Sequence, residues 1–117
     1  VVTGRAPGCR AGTEEILGPV VTVHAVDTED DALAIANGTR YGLSASVWTR
    51  DLDRAHRVGA RLDTGMVWVN TWLLRDLRVP FGGVKDSGVG REGGKWSLEF
   101  FSEARNVCVR LNDRTES

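Results

Sequence analysis

Several things are scarce in this chain of 117 residues. Cysteine occurs twice, at Cys9 and Cys108, without CxxC spacing, so no disulfide framework is expected and a reducing, cytoplasmic setting is the plainer expectation. No run of eighteen apolar residues exists, which excludes a bilayer-spanning helix, and VVTGRAPGCR lacks the apolar core of a secretory signal. Charge of one sign is also missing. The formal net charge of -1 gives no reason to expect nucleic acid or an anionic membrane as partner. His24 and His56 stand at no ligand-like spacing to either cysteine, so no metal site is expected. No Gly-x-Ser-x-Gly nucleophile elbow is present. A starting Met is absent too, and the chain reads as though it begins inside a larger protein.

What is present is a 41% apolar sequence with alternating element signals, enough for one domain at most. PVVTVHAV, residues 19–26, alternates β-branched residues after Gly18-Pro19 and predicts a strand. Thr28 and Asp31 form a capping box before ALAIAN, predicting a helix that stops at Asn37-Gly38. LSASVWT (43–49) predicts a second strand. Asp51 caps a helix with Leu52, Ala55, Val58 and Leu62 at helical spacing. MVWVN (66–70) predicts a third strand, GKWSLEFFSEA (94–104) a helix, and NVCVRL (106–111) a last strand, in which Cys108 would be a small buried residue. The alternation argues a layered α/β unit with some parallel pairing. Trp48, Trp68 and Trp96 fall in apolar patterns and read as core, whereas Trp72 lies in a loop.

Six of the 14 glycines crowd into residues 82–94. GGVKDSGVGREGG has neither the Lys-Ser or Lys-Thr ending of a P-loop nor a GxGxxG opening a helix directly after a strand, so a demanding connector is the simpler reading. Glu14 and Glu15, before a rigid Gly-Pro turn, could accept hydrogen bonds from a diol, or be no more than solvated acids. Cys9 sits beside Arg10 but lacks a rigid frame, as a nucleophile requires. NTWLLRDLRVPFGG poses a charge question: Arg75 and Arg78 flank a single acid, Asp76, in an apolar segment. Either the guanidinium groups reach water or one of them awaits an anion.

In order, TEEILGPVVTV, NGTRYGLSASVWTRD, GMVWVN, PFGGVKDSGVGREGG and FSEARNVCVRL resemble the C-terminal part of the NAD(P)-dependent aldehyde dehydrogenases, over about residues 13–111. The resemblance implies an α/β fold. Residues 1–96 would be a partial catalytic domain, and 97–117 would be a helix end, a strand of the oligomerisation sheet and a polar tail. Members of that family oxidise an aldehyde through a cysteine thiohemiacetal, pass hydride to a nicotinamide, and hydrolyse the thioester with a glutamate-activated water. Neither Cys9 nor Cys108 takes the nucleophile's place, so no catalytic residue is expected in this chain.

By the same resemblance, Glu15 holds the nicotinamide ribose hydroxyls. Leu17 replaces a phenylalanine that packs on that part of the cofactor, keeping an apolar contact and losing a flat face. Phe81 lines the aldehyde tunnel, and Asn70 ends its strand in a structural role. NTWLLRDLRVPFGG resembles the subgroup acting on 2-hydroxymuconic and 2-aminomuconic semialdehydes, in which an arginine at the place of Arg75 pairs with the substrate carboxylate. Arg78 is left to surface pairing. The implied protein is an NAD-dependent semialdehyde dehydrogenase, NADP not being excluded, which forms homo-oligomers and to which this chain contributes a fragment inactive alone. The alternative is a short non-catalytic product acting as a binding or assembly module.

Overall fold

The computed structural model describes residues 1–111. Its elements run α1 (Arg10–Thr13), α2 (Glu29–Asn37), β1 (Tyr41–Gly42), β2 (Ser44–Val47), α3 (Leu52–Arg61), β3 (Met66–Val69), β4 (Val84–Lys85) and α4 (Gly94–Phe100). The centre is a β2–α3–β3 crossover. The two strands pair in parallel from Ser44 opposite Met66 to Val47 opposite Val69, as a crossover helix permits. Local chemistry sets the helix starts. Thr28 Oγ1 accepts the Asp31 N–H at 3.1 Å, and Asp51 Oδ1 accepts the Arg54 N–H at 3.0 Å.

Charge holds α2 to α3. Glu29 takes Arg57 at 2.8 Å and Arg54 at 3.5 Å, and Asp30 takes Arg61 at 2.6 Å. At the other end of the pair, Asn37 Nδ2 donates to the Arg61 carbonyl, and the Asp63 N–H donates to Asn37 Oδ1. Leu33 on α2 and Ala55 on α3 are the buried apolar side chains among the described residues. A second, two-residue antiparallel pair joins β1 to β4. It brings the glycine-rich segment back onto the body of the fold.

Four expectations need correction. Residues 19–26 are not a strand: Thr22 makes one isolated parallel bridge to Val2, and Val21 and Val23 are about half exposed. Alternation alone makes no strand without a partner edge and a face to bury. Residues 106–111 likewise carry no strand pairing among the described residues, and Val107, Val109 and Leu111 are exposed. Cys108 is therefore exposed, not a buried strand residue. Trp48 is 67% exposed and Trp96 37%, so neither is a buried core residue, and Trp68 too is only partly covered. The polar tail, residues 112–117, lies outside the described residues.

Candidate functional site

The segment between β3 and α4 folds over the end of the crossover. Asn70 turns the chain out of β3 with φ of 53°, a conformation that asparagine tolerates better than most residues. Its side chain repays the turn by bonding Thr49 twice: Nδ2 donates to the carbonyl and Oδ1 accepts the N–H, both at 2.8 Å. Trp68 then fixes the loop from below. Its Nε1–H donates to the Leu74 carbonyl at 2.8 Å, and its ring meets Trp72 edge-on at 5.2 Å. Arg75 is thus delivered by a tryptophan on β3.

Phe81 stands where two hollows meet. One, of about 210 Å³, is lined by Met66, Trp68, Leu74, Arg75, Pro80 and Phe81 among others. The other, of about 360 Å³, lies between Phe81, the glycine-rich segment and Phe100. The Arg75 guanidinium sits 4.0 Å above the Phe81 ring, in cation–π contact. The Phe81 backbone pairs with that of Glu92 through reciprocal N–H to carbonyl bonds of 2.8 Å. The Glu92 carboxylate in turn forms an ion pair with Nη2 of Arg75. Arg75, Phe81 and Glu92 make a closed set.

The two arginines therefore find different partners. Arg78 pairs with Asp76, whose carboxyl is held below its ordinary range mainly by that guanidinium and then by the Arg78 N–H. Arg75 draws its anion from Glu92, 17 residues on, and not from the adjacent Asp76. Its Nη1 and Nε have no hydrogen-bond partner among the described residues.

Glu15 and Leu17 are in the exposed loop after α1, and neither lines the hollows at Phe81. Leu17 has φ of 55° and is 87% exposed, so an apolar side chain is presented outward on a strained backbone. The Glu15 carboxylate makes no side-chain bond among the described residues. Cys9 is half-buried and far along the chain from this set.

Sequence reading missed Lys85. Its Nζ donates to the carbonyls of Asn37 and Thr39 at 2.9 and 3.3 Å and pairs with Asp63 at 3.0 Å, tying β4 to the end of α2. A lysine on the last carbonyls of a helix is a recognised terminus. Nothing in the spacing pointed to it, because its partners lie 22 to 48 residues away. Glu92 was missed for the same reason.

Comparison with known proteins gives a consistent result. The aldehyde dehydrogenase family matches over residues 1–107. The chain is 53% identical over 109 residues to a 2-hydroxymuconic semialdehyde dehydrogenase of Pseudomonas sp. (strain CF600), covering 93% of this chain and 22% of that protein. It is 53% identical over 112 residues to a 2-aminomuconic 6-semialdehyde dehydrogenase of Pseudomonas sp., covering 96% of this chain and 23% of that one. An aldehyde dehydrogenase from Bacillus cereus, solved in complex with NAD+, superposes with a TM-score of 0.85 at 38% identity, over 94% of this chain and 22% of that one. The chain thus spans less than a quarter of the length of these relatives.

Proposed function

The chain belongs to the aldehyde dehydrogenase family, and on that premise we propose that it is the C-terminal part of an NAD-dependent dehydrogenase that oxidises a carboxylate-bearing semialdehyde to the acid. The substrate is of the 2-hydroxymuconic or 2-aminomuconic semialdehyde type, the class named for the relatives at 53% identity. On this reading residues 1–96 contribute to the catalytic domain and 97–117 to the helix end, oligomerisation segment and tail of a homo-oligomer. The nucleophilic cysteine and the general-base glutamate lie outside this chain, which does not turn over substrate alone.

The observation that carries the reading is a cation at the mouth of a partly apolar hollow. Arg75 lines the 210 Å³ cavity with Phe81, and two of its donor nitrogens have no protein partner among the described residues. A guanidinium offers five donors in a planar fork, so it can hold Glu92 and a substrate carboxylate together. Phe81 supplies a flat apolar wall on which the carbon chain of the aldehyde lies. Toward NAD, the chain offers Glu15, a free acceptor suited to ribose hydroxyls, and Leu17, an apolar surface in the same loop. When bound, the cofactor takes up the hydride leaving the aldehyde carbon. What this chain does is hold the carboxylate end of the substrate, cover its carbon chain and accept from the ribose.

The test is Arg75→Ala in the complete enzyme, assayed on adipate semialdehyde and on hexanal, which share chain length and differ in the terminal carboxylate. Arg75 is partly exposed, so the lower end of the range for truncating a charge pair applies, about 2 kcal/mol or roughly 30-fold. We expect that loss in kcat/KM for the semialdehyde and little change for hexanal. An equal effect on both would remove Arg75 from substrate recognition.

A further inference from the structure

We propose that Glu92 is a positioning residue for Arg75, setting the preference for carboxylate-bearing aldehydes without touching the substrate. The inference rests on Arg75 being the substrate's carboxylate partner. A free arginine side chain holds several rotatable bonds and loses about 2 kcal/mol of rotamer freedom when ordered. Something must bear that cost before the substrate arrives. Here two contacts do so: the Phe81 ring fixes the plane of the guanidinium from 4.0 Å, and the Glu92 carboxylate fixes its Nη2 corner.

These two contacts are themselves coupled. Phe81 and Glu92 are joined through reciprocal backbone bonds of 2.8 Å, so the ring and the carboxylate keep a constant relation to one another. Because those bonds involve only backbone, a change in the Glu92 side chain leaves the bridge in place. The bond to Glu92 engages one nitrogen of Arg75 and leaves Nη1 and Nε without partners among the described residues. The Glu92 charge has a second effect. With Arg75 it makes a neutral pair, so the hollow carries no surplus positive charge to draw in unrelated anions. Recognition then depends on the guanidinium edge that Glu92 leaves open, the second Nη2–H together with an N–H of Nη1 or Nε, which a carboxylate matches in shape as well as charge.

The experiment compares Glu92→Gln, Glu92→Asp, Arg75→Ala and the double variant Arg75→Ala/Glu92→Gln in the complete enzyme, with adipate semialdehyde and hexanal as probes. Glu92→Gln is expected to raise KM for adipate semialdehyde about tenfold, the value of one charge-assisted bond, and to leave kcat within about twofold. Hexanal kinetics should stay as in the parent. Glu92→Asp should recover part of the loss. The double variant should match Arg75→Ala, since a residue acting only through Arg75 has nothing left to position. If Arg75→Ala loses discrimination and Glu92→Gln does not, Glu92 has no positioning role and the function proposed for Arg75 stands. A fall in KM for the semialdehyde would make Glu92 a competitor of the substrate and overturn the proposal. Loss of hexanal turnover in Glu92→Gln would overturn it as well, by showing a general structural role. If Arg75→Ala leaves discrimination intact, both readings fall together.

Discussion

Gly65 has no room for a methyl group. A Cβ there would lie 1.8 Å from the Gly82 carbonyl oxygen, backbone against backbone, where β3 begins beneath the PFGG turn. Gly65→Ala must therefore push that turn, and Phe81 with it, off the strand. We expect a loss of at least about 1–3 kcal/mol in the complete protein, read from the urea midpoint. Gly8, around which nothing lies within 4 Å, is the control. Gly8→Ala should stay within about 0.5 kcal/mol. Both glycines look alike in the sequence, and only the second chain segment distinguishes them. The same holds for Arg75. Its unusual setting was legible in NTWLLRDLRVPFGG, whereas its partner was not, since Glu92 reaches it only because the chain doubles back at Phe81.

At the scale of the elements, α2, α3, β2 and β3 were read well, whereas α1 was not foreseen and the strands expected at 19–26 and 106–111 did not form. The helices α2 and α3 begin at the caps that Thr28 and Asp51 announce, because a cap acts within one turn. The strand expected at 19–26 dissolves into a single bridge, because pairing is decided by a partner elsewhere. Between α2 and α3 the hinge of stability is Glu29. Its carboxyl is held below the ordinary value of 4.5, mainly by the bond from Arg57, against some desolvation, with Arg54 and Arg61 adding charge. A depressed carboxyl pKa contributes stability that is complete above the unfolded value and lost as pH falls through the folded one. Amide exchange across α2 and α3 should therefore be slower in the parent than in Glu29→Gln at neutral pH. The difference should shrink once pH drops below the ordinary glutamate range. A difference that persists unchanged into acid would place the clamp elsewhere.

As a whole molecule, the chain covers little of itself. Its accessible surface is 9762 Å², against about 6,200 Å² for a folded monomer of this mass. Its radius of gyration is 22.2 Å, against about 13 Å for a compact domain of this length. The two buried apolar side chains among the described residues cannot offset the backbone entropy of ordering more than a hundred residues. The isolated chain is therefore expected to melt without a cooperative transition when followed by far-UV circular dichroism. A sharp transition would make it an autonomous domain and favour the binding-module reading.

The helix caps, the central strand–helix–strand order and the family were legible in the residues alone, because each depends on residues close together in the chain or on motifs in fixed order. The tertiary structure alone decided which acid meets Arg75, that Lys85 closes the end of α2, and that residues 106–111 find no partner strand among the described residues. Those outcomes depend on how distant segments approach one another. A carboxylate 17 residues away and a carbonyl 48 residues away leave no trace in local spacing.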